Sequence, residues 1–116
     1  MNFSYIIEEK HNFKIISLTG NLIEKNQAQP LLVEIDNLVT QGQNKFIVNL
    51  VELKYMNSTG LNVFLSILTK ARNAGGEAVI TNLSPKIKEL LVITKLNAVF
   101  TITDDVESAI QKLGNQ

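Results

Sequence analysis

Three short apolar runs, KFIVNL (45–50), EAVIT (77–81) and AVFTI (98–102), are each followed by a stretch whose apolar residues recur at helical spacing. This alternation most constrains the fold. A strand that feeds a helix and then another strand needs a crossover, crossovers are right-handed, and the product is a mostly parallel sheet with helices packed on it. Continuous apolar runs suit strands covered on at least one face.

The flanking segments fill in the order. FSYII (3–7) and FKIISLTG (13–20) read as two strands, with the polar EEKHN (8–12) as a hairpin turn and Gly20 as the end of the second strand. NLIEKNQAQP leads into a helix on which Leu31, Leu32, Ile35, Leu38 and Val39 share one side and Gly42 stops the run. Pro30 fits its first turn, where a missing N–H costs nothing. Leu61, Phe64, Leu65, Leu68 and Ala71 mark the apolar face of a longer helix, capped at Gly75-Gly76. Ser84-Pro85 is an N-cap followed by proline at the first helical position. Asp104 with Glu107 resembles a capping box before the last helix, which ends at Gly114. The expectation is an α/β fold forming a single domain over residues 1–116. It has a mostly parallel five-stranded sheet, an antiparallel edge hairpin and about four helices.

Composition removes several function classes. Lys+Arg and Asp+Glu are both 11, so the basic excess of a nucleic-acid binder is missing, and with no Trp and only two Tyr a base-stacking platform is not expected. There is no Cys and one His, so no disulfide, no thiolate or histidine-rich metal site and no conventional catalytic triad are expected. No apolar run approaches the roughly 20 residues that span a bilayer. The start MNFSYIIEEK lacks the basic and apolar regions of a secretory signal, so a cytoplasmic location is expected.

Most candidate chemistry has a plain structural reading. NAGGEA has no Walker spacing and follows a helix, so it is a helix cap and not a phosphate loop. His11 lies in the hairpin turn, among solvated neighbours. The carboxylates are scattered and give no converging pair. Lys86, Lys88 and Lys95 form a modest basic patch or a solvated helix face.

The stretch KYMNSTGLN (54–62) differs. Asn57, Ser58 and Thr59 are good helix-start residues, because their oxygens cap free N–H groups. They also sit past the C-terminal end of a buried strand, where functional groups in open α/β sheets collect. Gly60 is expected to leave the ground above the neighbouring hydroxyl open for a partner's backbone.

SLTGNL, FIVNLVELKYMNSTGLNVFLSI and ARNAGGEAVITNLSPKIKELLVITKLNAVFTI together resemble a STAS-domain protein of the anti-sigma-factor antagonist type, over nearly the full length. The middle block is the specific part: strand, Asp-Ser-Ser/Thr-Gly-Leu, then helix. The resemblance implies a STAS-like fold and a non-enzymatic binding module without cofactor or metal. Its implied partners are an anti-sigma factor that is also a serine kinase, and a serine phosphatase. By motif position Ser58 is the phosphoacceptor, and Asn57, Thr59, Gly60, Leu61 and Asn62 are the partner-binding residues around it. Two positions depart from the pattern: Asn57 stands in place of the motif's Asp, and Ile23 stands where the family often has an acid. An Asp at 57 is expected to leave the fold nearly unchanged, because the two caps are similar in strength. The alternative implied role is a STAS scaffold or accessory subunit of a regulatory or transport complex, without a phosphorylation cycle. A small nucleotide-binding or hydrolytic α/β protein is disfavoured by the missing phosphate loop and nucleophile–base pair. An oligomer is compatible with the sequence, which does not fix the state.

Overall fold

The computed structural model describes residues 2–114. Its elements follow the order β1 (Ser4–Lys10), β2 (Phe13–Leu22), α1 (Gln29–Thr40), β3 (Lys45–Met56), α2 (Ser58–Asn73), β4 (Glu77–Thr81), α3 (Pro85–Ile93), β5 (Thr101–Thr103) and α4 (Val106–Gly114). Short 3-10 turns precede α1 and β5. The five strands form one sheet in the order β1-β2-β3-β4-β5. β1 and β2 are antiparallel and every other pairing is parallel.

Because each crossover advances one strand in the same direction with the same hand, α1, α2 and α3 lie on one face. The main core is there: Ile16, Leu18, Phe46, Val48 and Ile80 of the sheet pack against Leu31 and Ile35 of α1, Phe64 and Ile67 of α2, and Ile87 and Leu91 of α3. α4 covers part of the other face, with Ala109 and Leu113 over Phe13, Ile15, Ile47 and Val79. The ring of Phe64 meets Phe100 edge-on at 6.4 Å.

Several boundaries differ from the expectation. The hairpin turn is only His11-Asn12, both at positive φ (54° and 69°), and Glu8–Lys10 belong to β1. Two consecutive positive-φ residues are what a tight hairpin needs to match strand twist. β2 does not stop at Gly20. It runs to Leu22, because Gly20 at φ 90° absorbs a register shift against β3. β3 runs six residues past Leu50, with Leu53 and Met56 buried and Glu52 and Lys54 outward. β5 is shorter than AVFTI: Leu96–Ala98 form a 3-10 turn and pairing begins at Thr101. At α4 the cap is Asp105, whose Oδ1 accepts from the Ser108 N–H at 2.8 Å, and not Asp104 with Glu107. Glu107 instead pairs with Lys10 at 2.9 Å. Ser84 caps α3 as expected, accepting from the Ile87 N–H at 3.3 Å.

Candidate functional site

The end of β3 and the start of α2 meet at Asn57. Its backbone is extended (φ −117°, ψ −166°), so the chain turns sharply from strand to helix there. The side-chain oxygen accepts from the Thr59 N–H at 3.0 Å, and the backbone oxygen accepts from the Gly60 N–H at 2.9 Å. The side-chain NH₂ donates to the Ile23 carbonyl at 3.3 Å. Asn57 therefore caps α2 and ties it to the segment after β2. Against the expectation that an Asp here would leave the fold nearly unchanged stands one contact: a carboxylate accepts from Thr59 but has no proton for Ile23.

Ser58 is the first residue of α2 and is exposed. Thr59 is half-buried, Asn62 exposed, and Gly60 and Leu61 are buried. Gly60 does not open ground above the hydroxyl. It faces inward, and a Cβ there would lie 2.9 Å from the Met56 Cβ and 3.4 Å from the Leu22 carbonyl oxygen. Its lack of a side chain lets the first turn of α2 sit down on β3 and the end of β2. Leu61 anchors the same turn in the core.

The six expected residues do not share one surface. Asn57 and Ser58 line a groove of about 430 Å³ that runs toward α3. Thr59 and Asn62 line a smaller hollow of about 320 Å³ beside Lys25 and Leu32. Ser58 is part of the groove's lining. The groove's apolar surface comes from Tyr55, Met56, Ile87, Leu90 and Ile93, and its charges from Lys54, Lys86 and Glu89. Tyr55 and Ile93 are 54% and 68% exposed, high values for side chains of this size.

Sequence reasoning missed the groove's apolar wall. One signal was available. Leu90, Leu91, Val92 and Ile93 are four apolar residues in succession on a nine-residue helix. At 3.6 residues per turn they point almost all the way round, so they cannot all face the core. Leu91 is buried, while Val92 and Ile93 face outward. Lys86 was noted as part of a patch with Lys88 and Lys95, but Lys88 lines a separate cavity with Asn82 and Asp104. Among the described residues no group of His, Cys, Asp and Glu is placed to hold a metal ion, and no helix is long and apolar enough to cross a membrane.

The sequence pattern of the STAS domain matches residues 4–109. The chain belongs to the STAS domain family. It is 29% identical over 111 residues to the anti-sigma-B factor antagonist of Bacillus subtilis, covering 96% of this chain and all of that protein. It is 26% identical over 114 residues to the anti-sigma F factor antagonist of Paenibacillus polymyxa, covering 97% of each. A crystal structure of an anti-sigma factor antagonist from Mycobacterium paratuberculosis superposes with a TM-score of 0.81 at 16% identity, over 97% of this chain and 94% of that one. At that identity the match speaks for the fold alone. The STAS architecture is what places Asn57 and Ser58 at the open end of β3.

Proposed function

We propose that this STAS domain is an anti-sigma-factor antagonist. It binds an anti-sigma factor that is also a serine kinase, so releasing a sigma factor, and phosphorylation of Ser58 ends the binding until a serine phosphatase resets it. The reading is of a cytoplasmic binding module and not of an enzyme. The observation that carries it is the exposed Ser58 hydroxyl at the first position of α2, in the lining of an apolar groove. The names of the two relatives support the same reading.

The switch follows from electrostatics. Phosphoserine carries about −1.5 to −2 charges at neutral pH. At a helix N-terminus that charge is tolerated, with a favourable dipole contribution of about 0.3–1 kcal/mol. The domain therefore stays folded, and the effect falls on the partner. A surface packed around a hydroxyl has neither room nor counter-charge for a dianion. Burying an unpaired charge costs several kcal/mol, and about 1.4 kcal/mol is tenfold in affinity. In this reading Asn57, Ser58, Thr59 and Asn62 touch the partner, while Gly60 and Leu61 hold the turn that presents them.

Incubation with the cognate kinase and ATP, followed by peptide mass spectrometry, tests the assignment. Phosphate on Ser58 supports it. Phosphate only on Thr59, or on neither residue, defeats it.

One observation favours a second reading. Asn57 replaces the acidic residue of the family's motif and is occupied by its bonds to Thr59 and Ile23. A scaffold or accessory subunit of a regulatory or transport complex, never phosphorylated, needs only such a well-anchored surface. Stable association with a complex that contains no kinase is the outcome that would select it.

A further inference from the structure

We propose that Lys54 and Lys86 are the counter-charges of a phosphate on Ser58, so that the modified side chain is drawn to them at the groove they share. This rests on the reading of Ser58 as the phosphoacceptor and adds how the modification acts within the domain itself.

Lys54 on β3 and Lys86 on α3 line the same groove as Ser58, although the two elements are some thirty residues apart in sequence. Lys86 makes no ion pair among the described residues, and Lys54 has only a loose one with Glu52 at 3.8 Å between two exposed groups. Such a pair contributes little and competes weakly. Both lysines are therefore available. Lysine's ammonium is a compact charge on a flexible four-carbon stem, suited to following a phosphate that swings with a serine rotamer.

The other ionisable groups that line the groove are Glu89 and Tyr55. With two ammonium groups and one carboxylate, the lining carries one excess positive charge at neutral pH. A phosphate dianion turns that excess into a deficit. It is drawn toward the lysines and away from Glu89. Phosphorylation then acts twice. It adds a charge that a partner cannot bury, and it ties down two cations that the partner would otherwise use. The free N–H groups of α2 also favour the phosphate, but that contribution is the same whether or not the lysines are present.

The proposal is tested without any kinase or partner. The protein is made with phosphoserine installed at position 58 during translation, and the phosphorus resonance is followed against pH. An opposite charge nearby lowers the pH at which a phosphate loses its second proton, which for an unperturbed phosphoserine is about 6. The expected result is a midpoint below that value in the parent. In Lys54→Gln/Lys86→Gln it rises by about 0.5 pH or more. It stays low in Lys54→Arg/Lys86→Arg, which keeps the charges, and in Lys88→Gln, which removes a lysine outside the groove. The difference should fade at high salt, where exposed charges are screened. The proposal is overturned if the Lys54→Gln/Lys86→Gln protein titrates with the parent, or if Lys88→Gln moves the midpoint as far. A kinase that ignores Ser58 would defeat the functional reading and leave this measurement unaffected.

Discussion

The Asn57 side-chain NH₂ donates to the Ile23 carbonyl at 3.3 Å while the oxygen of the same amide accepts from the Thr59 N–H at 3.0 Å. Positions 57 and 23 are therefore bonded to each other, side chain to backbone. One amide joins the segment after β2 to the first turn of α2, and it does so through a donor that an Asp lacks.

Asn57→Asp should lower stability. The helix cap survives and is strengthened by the charge. The donation to Ile23 is lost, and a carboxylate oxygen is left facing a carbonyl oxygen. A net hydrogen bond is worth about 1 kcal/mol, which for a domain of this size is a fall in Tm of about 4 °C. A thermal melt checks it. An unchanged or higher Tm would mean that the strengthened cap outweighs the lost Ile23 bond.

Gly60→Ala sets two effects against each other. Alanine is better in a helix by about 1 kcal/mol. At Gly60, however, the added Cβ would lie 2.9 Å from the Met56 Cβ, and that atom sits on a strand and cannot swing away. Overpacking costs about 1–3 kcal/mol. The clash should win, giving a Tm lower by several degrees and a disturbed amide resonance for Ser58. A stabilised variant would contradict the packing described for this turn.

Much of this was legible in the sequence. The order of elements, the parallel sheet and the position of Ser58 follow from periodicity and cap residues that act within a few residues of one another. What was missed depends on contacts between distant segments. β3 extends to Met56 because β2 pairs with it across two register shifts, so that Tyr55 finds Asn21 and Met56 finds Leu22. The groove is built from residues 54–58 and 84–93, and no local pattern joins them. Gly60 reads like a surface glycine because the three residues before it are polar, while the atoms that require it belong to Met56 and Leu22.

Thr81 is fully buried, and its Oγ1 has no hydrogen-bond partner among the described residues. A buried hydroxyl without a partner costs about 1–3 kcal/mol. Thr81→Val replaces it with a methyl group of nearly the same shape, and β4 favours a branched side chain. The variant should melt higher by about 4 °C or more. A fall in Tm would mean that the hydroxyl is satisfied in solution.

The α4 cap makes a pH prediction. The Ser108 N–H bonded to Asp105 holds this carboxyl below the usual Asp range. A folded-state pKa below the unfolded one contributes stability that is present above the unfolded value and is lost as pH falls through the folded one. Asp105→Asn keeps a cap but does not titrate. Its stability should therefore decline less steeply than the parent's as pH is lowered below the ordinary carboxylate range. Parallel pH profiles of Tm would contradict this.

The central claim is that one phosphate on Ser58 decides whether this STAS domain binds its partner. The direct measurement is a calorimetric titration of the unmodified protein and of the protein carrying phosphoserine at 58 against the cognate anti-sigma factor. The account predicts measurable binding for the first. It predicts affinity weaker by about a hundredfold or more for the second, since burying the phosphate against the partner costs several kcal/mol, which corresponds to at least two factors of ten. Equal affinity of the two forms, with both folded, would contradict it.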